Sequence, residues 1–328
     1  MIGWFRTCAS PAGAILVAGA LAVFSQVAQA QSYPVKPIRL VVPIVPGGSV
    51  DLLARRFAQK MSESLGQPLV VENISGASGT IGSAQVARAA PDGYTIMWAT
   101  VGETIVYRFM SRNQPYDSVK DFTPLMAAVT VVTLIAAHPS VPGNTLKEVI
   151  DYARANPGKL AYASAGIGSY FHMAGEMFKA HAGLDILHVP YKGVPPALQG
   201  LATGQVQLMF VSAFSSRPLL GKLKILAVNE PKRYAAMPSV PAANETLPGF
   251  EKLPTWYAFF GPAAMPRPIV TRLNEEMNKV LAATDMKEFM ESNAVLPIGG
   301  TPEDLGDALK SGIEAYARVV KLANLKPE

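Results

Sequence analysis

Short apolar runs alternate with segments of helical periodicity along most of the chain. Residues 38–45 form an apolar run typical of a buried strand. After Pro46-Gly47-Gly48-Ser49, apolar positions recur at helical spacing from Val50 to Leu65, and Gly66 is a suitable stop. The alternation continues to the C-terminal end, so the pattern predicts βα units around mainly parallel sheets, an α/β fold.

Further elements follow from the same signals. The strands are predicted at 69–71, 94–100, 160–164, 186–189, 205–211, 224–228 and 255–260. The helices are predicted at 79–89, 145–156, 171–181, 195–202, 268–282, 285–292 and 301–322. Capping signatures at Thr145 and Thr301 mark two of the helix starts. The first three strands are predicted to form the sheet of one lobe. A proline-rich passage near Pro139 then precedes a second series of strands and helices.

The first thirty residues have the pattern of a secretory signal. Arg6 is their only charge, an apolar stretch runs from Pro11 to Phe24, and Ala28-Gln29-Ala30 matches an A-x-A cleavage site. A membrane anchor is the alternative, but about 14 apolar residues fall short of the roughly 20 that span a bilayer. We therefore predict a signal peptide at 1–30, cleavage after Ala30 and export to the periplasm.

Composition excludes several classes of protein once the signal is set aside. The chain has 328 residues, of which 49% are hydrophobic and 16% charged, enough for two lobes of ordinary size. Its single cysteine, Cys8, lies in the signal, so the mature chain has no disulfide, cysteine nucleophile or thiolate metal site. Basic residues are dispersed, which argues against nucleic-acid binding.

Two similar loops carry the candidate chemistry. The first glycine loop is Val45–Ser49 and the second is Ser164–Ser169; each is predicted to join a strand to a helix. Glycine lets backbone N–H groups approach a ligand, and a helix start offers unpaired donors and partial positive charge. Such loops suit a carboxylate or phosphate, although each could also be a tight turn that binds nothing.

Other site chemistries have weaker signals. No dinucleotide or P-loop motif occurs, and no G-x-S-x-G elbow surrounds a serine, although Ser78 and Ser169 lie in glycine loops. His172 and Glu176 share a helix face, but the histidines match no zinc motif, so a hydrogen bond or ion pair is favoured over a metal. Asp51 either binds a water beside the ligand or orients the first glycine loop.

A set of motifs recurs in order along the mature chain. It resembles the Bordetella uptake gene family, the substrate-binding proteins of tripartite tricarboxylate transporters. The segments that carry the resemblance are Tyr33–Arg39, Pro46–Asp51, Val71–Asn73 with Gly76–Gly79, Pro91–Thr95, Lys120–Pro124, Tyr162–Ser169, His172–Glu176 and His188–Gly193.

The resemblance implies a type II periplasmic-binding-protein fold with a ligand cleft between two α/β lobes. Lobe one would be 31–132 plus 254–328, and lobe two 133–253. A small organic acid would bind with one carboxylate between the loops, without a cofactor or metal. The implied ligand-binding residues are Pro46, Gly47, Gly48, Ser49, Asp51, Ser78, Thr100, Ser164, Ala165, Gly166, Gly168, Ser169 and Ser212.

Departures from the family pattern bear on the ligand. Gln199-Gly200 stands where many relatives carry Thr-Asp, and this loss of a carboxylate favours a plain carboxylic acid over an amino acid. Tyr170 and Phe171 could stack on an aromatic acid, although a core or rim role is favoured. We expect a monomer that delivers mono-, di- or tricarboxylates to membrane permease subunits. The alternatives are a ligand-sensing partner of a sensor kinase and a periplasmic serine hydrolase.

Overall fold

A computed structural model of the chain describes Gly3 and residues 33–327. Residues 36–328 form one compact unit that contains two β-sheets. Apart from Gly3, the predicted signal peptide and its cleavage point at Ala30 lie outside the described residues. Within the described part, no helix combines the length and apolar character that a membrane crossing requires.

The first sheet has six strands in the order β11-β4-β10-β3-β1-β2. Its strands are β1 (Ile38–Val42), β2 (Leu69–Asn73), β3 (Thr95–Thr100), β4 (Phe122–Val131), β10 (Tyr257–Pro262) and β11 (Val295–Pro297). β1 runs parallel to β2 and β3, whereas β10 is antiparallel to both β3 and β4. The prediction of a mainly parallel sheet is therefore wrong here, because the returning strand β10 enters in the opposite direction.

The second sheet has five strands in the order β7-β6-β8-β5-β9. They are β5 (Thr133–Ala137), β6 (Ala161–Ser164), β7 (Leu187–Pro190), β8 (Leu208–Ser212) and β9 (Lys224–Val228). β6 is parallel to β7 and β8, while β5 pairs antiparallel with β8 and β9. Both sheets are therefore mixed, and the sequence reading missed β4, β5 and β11.

Every predicted helix is present, with ends shifted by up to two residues. The α-helices are α1 (Ser49–Leu65), α2 (Thr80–Ala87), α3 (Tyr107–Met110), α4 (Leu146–Ala155), α5 (Tyr170–Ala182), α6 (Val194–Ala202), α7 (Ala213–Ser216), α8 (Ala243–Thr246), α9 (Arg267–Ala282), α10 (Thr284–Ser292) and α11 (Pro302–Leu322). Capping boxes form at Thr145 and Thr301, and Gly66 ends α1 in the left-handed conformation that favours glycine.

The chain crosses between the sheets twice, after β4 and before β10. Beside the crossings, the Lys252 Nζ atom lies 2.7 Å from the Glu230 Oε1 atom, and that oxygen accepts a hydrogen bond from the Thr133 N–H. Two β-sheets with their helices, connected by two crossings of the chain, confirm the predicted two-lobe α/β fold. The exact lobe boundaries, 31–132 with 254–328 and 133–253, stay a prediction.

Candidate functional site

A cleft of about 480 Å³ lies between the two glycine loops, which follow β1 and β6. Eight of the predicted ligand-binding residues line it, which brings together positions from both sheets. They are Gly48, Ser49, Ser78, Thr100, Ala165, Gly166, Gly168 and Ser169. The structure thus places the two loops on opposite sides of one cavity.

Five other predicted ligand-binding residues do not line this cleft. They are Pro46, Gly47, Asp51, Ser164 and Ser212. Pro46 and Gly47 form the outer bend of the first loop, and the other three side chains turn inward to hydrogen-bond the protein. Direct contact of these five residues with a ligand stays a prediction. Gln199, one of the two residues that depart from the family pattern, is exposed and also lies outside the lining.

Asp51 supports the first glycine loop from behind. Its Oδ2 atom accepts a hydrogen bond of 3.0 Å from the Gly47 N–H, and its Oδ1 atom accepts one of 2.9 Å from the Asn73 amide. Arg55 pairs with the same carboxylate at 3.1 Å. Burial alone would raise the pKa of Asp51, but the hydrogen bonds from Arg55, Gly47 and Asn73 outweigh it and lower the pKa. Of the two roles considered for Asp51, the geometry favours loop orientation.

Neutral side chains support the second glycine loop. The Gly168 N–H donates to His172 Nδ1 at 3.2 Å, and the Gly166 N–H donates to Ser164 Oγ at 3.1 Å. His188 Nε2 lies 2.7 Å from the same Ser164 hydroxyl. Burial lowers the pKa of His172, and it lowers the pKa of His188 to about 3. Both imidazoles are therefore neutral at physiological pH, as the acceptor role of His172 requires.

His172, Glu176 and His188 also form a cluster of possible metal ligands, with ligand atoms within 4.8 Å of one another. The two imidazoles are stacked at 4.3 Å with 21° between their planes, so their in-plane lone pairs do not converge well on one ion. Glu176 is already engaged by the Tyr162 hydroxyl at 2.6 Å and by Lys179 at 3.0 Å. The donor set therefore suits hydrogen bonding, and the ion pair of Glu176 is with Lys179 rather than His172.

A chain of hydroxyl groups reaches the cleft from the second sheet. Ser212 Oγ accepts from the Ser215 N–H and donates to Ser49 Oγ at 3.3 Å, and Ser49 Oγ lies 2.8 Å from the Tyr257 hydroxyl. Because Ser49 accepts from Ser212, it can donate to Tyr257, which leaves the Tyr257 proton for a ligand. Burial raises the pKa of Tyr257 to about 12, which keeps that proton in place.

Many glycine-loop N–H groups are used inside the protein, and the remaining donors for an anion lie in the loops and in the helix starts that follow them. The N–H groups of Gly47, Gly166 and Gly168 are occupied as described, and the Ser49 N–H donates to Ser215 Oγ at 3.2 Å. Among the cleft-lining residues, the backbone N–H groups of Gly48, Val50, Ala165, Ile167, Tyr170 and Phe171 have no hydrogen bond inside the described chain. Three of these donors lie in the first turns of α1 and α5, which favour negative charge.

The glycine loops belong to halves of the protein that touch across the cleft. The Ser78 hydroxyl donates to the Ile167 carbonyl at 2.8 Å. A methyl group on Gly102 would lie 3.3 Å from the Gly168 carbonyl oxygen. Within the described residues, neither Ser78 nor Ser169 pairs with an imidazole nitrogen: Ser78 makes this bond, and Ser169 Oγ accepts from the His172 backbone N–H as the cap of α5. This geometry gives no support to a serine hydrolase built on either residue.

Sequence reasoning missed several residues on the cleft wall. Tyr257 comes from β10, more than two hundred residues from Ser49, and no local motif marks it. Glu103 lies in a π-helical turn, Gly102–Val106, that directly follows β3. Lys192 belongs to a recognised family motif but was not assigned a role. Tyr170 and Phe171, left open between stacking and packing, are buried and line the cleft.

Comparison with known proteins agrees with this architecture. Residues 53–325 match the family model described as the tripartite tricarboxylate transporter family receptor. The chain is 40% identical over 313 residues to the UPF0065 protein in the tcbD-tcbE intergenic region of Pseudomonas sp. strain P51, covering 93% of each chain.

Two solved structures from Rhodopseudomonas palustris are also similar. Rpa4515 with adipate has a TM-score of 0.87 and 35% identity, covering 90% of this chain and all of that one. MatC with bound malate has a TM-score of 0.82 and 32% identity, covering 88% of this chain and all of that one. The family match spans most of the sequence, as the ordered motifs indicated: the chain belongs to the tripartite tricarboxylate transporter receptor family of solute-binding proteins.

Proposed function

We propose that this chain is a periplasmic receptor that captures a small organic carboxylate and delivers it to the membrane subunits of a tripartite tricarboxylate transporter. The observation that carries the proposal is the convergence of unpaired N–H donors from Val50, Ile167, Tyr170 and Phe171 on one cleft. Donors at helix starts stabilise an anion without a fixed counter-charge. The adipate and malate bound by the two similar structures are ligands of the same chemical class.

The rest of the cleft restricts the ligand further. Its wall is mainly apolar between the helix starts and the rim, where Ile44, Val45 and Val194 are among the lining residues. Lys192 is the one cation among the described residues on this wall, and no carboxylate lies within ion-pair distance of it. This arrangement favours a dicarboxylate with a short apolar middle, one end at the helix starts and the other toward Lys192.

Capture works by closure of the two lobes. Donors for the ligand come from both glycine loops, so a carboxylate interacts with all of them only when the loops are together. Ligand binding therefore raises the closed population. The contacts of Ser78 with Ile167 and of Ser49 with Ser215 each connect one glycine loop to a residue of the opposite half of the protein. A permease would then recognise the closed form.

A calorimetry and thermal-shift screen tests the proposed function. The panel contains mono-, di- and tricarboxylates, aliphatic and aromatic, with sugars and inorganic cations as competing classes. We expect dicarboxylates of four to six carbons, about the size of malate and adipate, to bind best. Binding of sugars or cations with no response to any acid would contradict the proposal. Pull-down of membrane proteins with and without the bound acid then separates transport from sensing.

Lys192→Ala tests the position of the second carboxylate. We expect the affinity for a dicarboxylate to fall by up to about fivefold and that for a monocarboxylate of equal length to stay nearly unchanged, because an ion pair with the exposed Lys192 ammonium group is worth about 0.2–1 kcal/mol. Lys159→Ala, on an exposed loop, is the matched control. Equal losses for both ligands would place the second carboxylate elsewhere.

A further inference from the structure

The cleft contains one buried acid close to the donors proposed to bind an anion. Among the described residues on its wall, Glu103 is the one carboxylic acid. It is only 3% exposed and lies in the π-helical turn after β3. A carboxylate at this position would lie in the wall of the same small cavity as the bound carboxylate, and like charges in such a site oppose each other.

The hydrogen bonds around Glu103 are directional. Its Oε2 atom accepts from the Thr100 N–H at 2.8 Å and from the Thr100 hydroxyl at 2.7 Å. That hydroxyl in turn accepts from the Gly102 N–H at 3.1 Å, so its own proton is committed to Glu103. Oε2 is therefore an acceptor in both bonds. A proton on the carboxyl group belongs on Oε1, the atom that Thr100 does not contact.

No positive charge compensates this carboxyl group. In the described part of the chain, no Lys, Arg or His lies within ion-pair distance of Glu103. The titratable groups around it are tyrosines: Tyr116, whose hydroxyl donates to the Glu103 carbonyl at 2.7 Å, together with Tyr107 and Tyr257. Helix α11 meets the π-helical turn through apolar contacts. Across the cleft are the neutral His172, behind Gly168, and Lys192 at the rim.

Burial accordingly favours the neutral acid. It raises the pKa of Glu103, and the hydrogen bonds from Thr100 and from the Glu103 backbone N–H offset only part of this shift. The Glu103 segment also meets the second glycine loop directly, since a methyl group on Gly102 would lie 3.9 Å from Ser169 Cα. The acid is therefore enclosed further when the two loops come together.

We propose that Glu103 binds the ligand as a neutral carboxylic acid, with its Oε1–H donating to the captured anion, so that ligand binding takes up a proton. The inference rests on the proposed function and deepens it. Where Glu103 is ionised in the free protein, one proton from solvent adds to Oε1 as the carboxylate ligand enters. The cleft thereby selects ligands that offer an acceptor at this position and disfavours ligands that offer an ammonium group.

Calorimetry on the purified protein measures this proton directly. Adipate and malate are titrated at pH 6.5, 7.5 and 8.5, each in two buffers of different ionisation enthalpy. Both acids are more than about nine-tenths ionised at pH 6.5 and essentially fully ionised at pH 7.5 and 8.5, so their own protons contribute little. We expect uptake that rises toward one proton per ligand with increasing pH. By linkage, affinity then falls up to tenfold per pH unit.

Glu103→Gln is the matching variant, because the amide keeps an acceptor for Thr100 and a donor for the ligand without an ionisable proton. We expect no proton uptake, a flat affinity between pH 6.5 and 8.5, and binding at pH 8.5 about tenfold tighter than that of the unmodified protein. Glu251→Gln makes the same charge change at an exposed position outside the cleft lining and should behave like the unmodified protein.

The outcomes separate this inference from the proposed function. If no carboxylic acid binds at any pH, the proposed function fails. If acids bind with no proton uptake and Glu103→Gln leaves the pH dependence unchanged, only the role of Glu103 is overturned. Loss of affinity in Glu103→Gln with tighter binding of amino acids by the unmodified protein would show an ionised Glu103. The uptake measured on the unmodified protein needs no variant to fold.

Discussion

The two glycine loops present similar outer surfaces to the cleft but are supported by different chemistry. The first is supported by an ionised Asp51 with Arg55 and Asn73. The second is supported by two neutral, stacked imidazoles and a buried serine hydroxyl. Two loops of similar sequence can therefore be held in place by different sets of side chains. It also gives the two sides of the cleft different responses to pH and to substitution.

The largest contrast is expected between valine substitutions at Gly166 and Gly48. Gly166 has a φ of +125°, which side chains rarely adopt, and its Cβ would lie 3.3 Å from the Tyr191 carbonyl oxygen. Gly48 has a φ of −86° and a Cβ would meet Val194 at 3.8 Å, an ordinary contact. We expect Gly166→Val to reduce affinity at least a hundredfold and to cost about 1–3 kcal/mol of stability.

Gly48→Val should fold normally and lose about tenfold in affinity, because its side chain obstructs the cleft without straining the backbone. Calorimetry with adipate and urea denaturation measure both effects. Equal stability losses in the two variants would show that Gly166 and Gly48 tolerate a side chain equally well, which would contradict the expected backbone strain at Gly166.

Asp51→Asn removes the charge behind the first loop. The Gly47 N–H keeps a weaker acceptor, while Arg55 loses its ion pair, so we expect about 1–3 kcal/mol of lost stability and roughly a tenfold loss of affinity. Arg55→Gln is the matched control, since half of the Arg55 side chain is exposed and surface pairs are worth about 0–1 kcal/mol. A loss in Arg55→Gln as large as in Asp51→Asn would assign the support to the ion pair alone.

Acidification should weaken the second loop before the first. The pKa values of His172 and His188 are lowered on folding, so their contribution to stability is complete above about pH 6.5 and decreases as the pH falls. Each titrating histidine gives a slope approaching about 1.4 kcal/mol per pH unit. The Asp51 contribution is present above its ordinary value of 3.8 and is lost only as the pH falls through its lowered pKa.

Urea denaturation between pH 4.5 and 7.5 measures this difference. We expect His188→Gln to flatten the curve and Asp51→Asn to shift it without changing its slope. Glu103, with its raised pKa, gives a slope of opposite sign, and the difference between the His188→Gln curve and that of the unmodified protein removes its contribution. A curve for His188→Gln that stays parallel to the original would rule out a contribution of His188 to the support of this loop.

The smallest effect is expected at the contact between the two sides. Ser78→Ala removes the exposed hydrogen bond to the Ile167 carbonyl, which is worth about 0.5–1.5 kcal/mol. Affinity should fall only about threefold, mainly through faster ligand release in stopped-flow experiments. No change in the release rate would indicate that this bond does not contribute to closure.

Local signals predicted the helices well and the sheets only in part. The caps at Thr145 and Thr301 and the stop at Gly66 act within a few residues, so the sequence shows them directly. β4 was not predicted. Its two sheet neighbours, β10 and β11, lie at least 126 positions later in the chain. Pairing over such distances has no local signature. The same reason explains why Tyr257 was not identified as part of the site.

The candidate site was predicted at the level of the loops but not of individual atoms. Family motifs located both loops, and eight of the thirteen expected residues line the cleft. Ser164 and Asp51 lie outside the lining and accept hydrogen bonds from loop N–H groups, because a polar side chain beside a glycine loop can face either the ligand or the loop backbone. Hydrogen bonds help to set the direction of each side chain: Asn73 donates to Asp51, and His188 bonds Ser164. Neither Asn73 nor His188 belongs to the sequence of a glycine loop.

The position of β10 in the first sheet also constrains the order of folding. β10 lies between β3 and β4 and pairs with both, so neither half of that sheet is complete before residue 257 is available. The second sheet is built from β5–β9, a continuous stretch of chain, and its contacts close shorter loops. The second sheet is thus able to assemble while the chain is still being synthesised, whereas the first sheet and the cleft can form only after the last quarter of the chain is available.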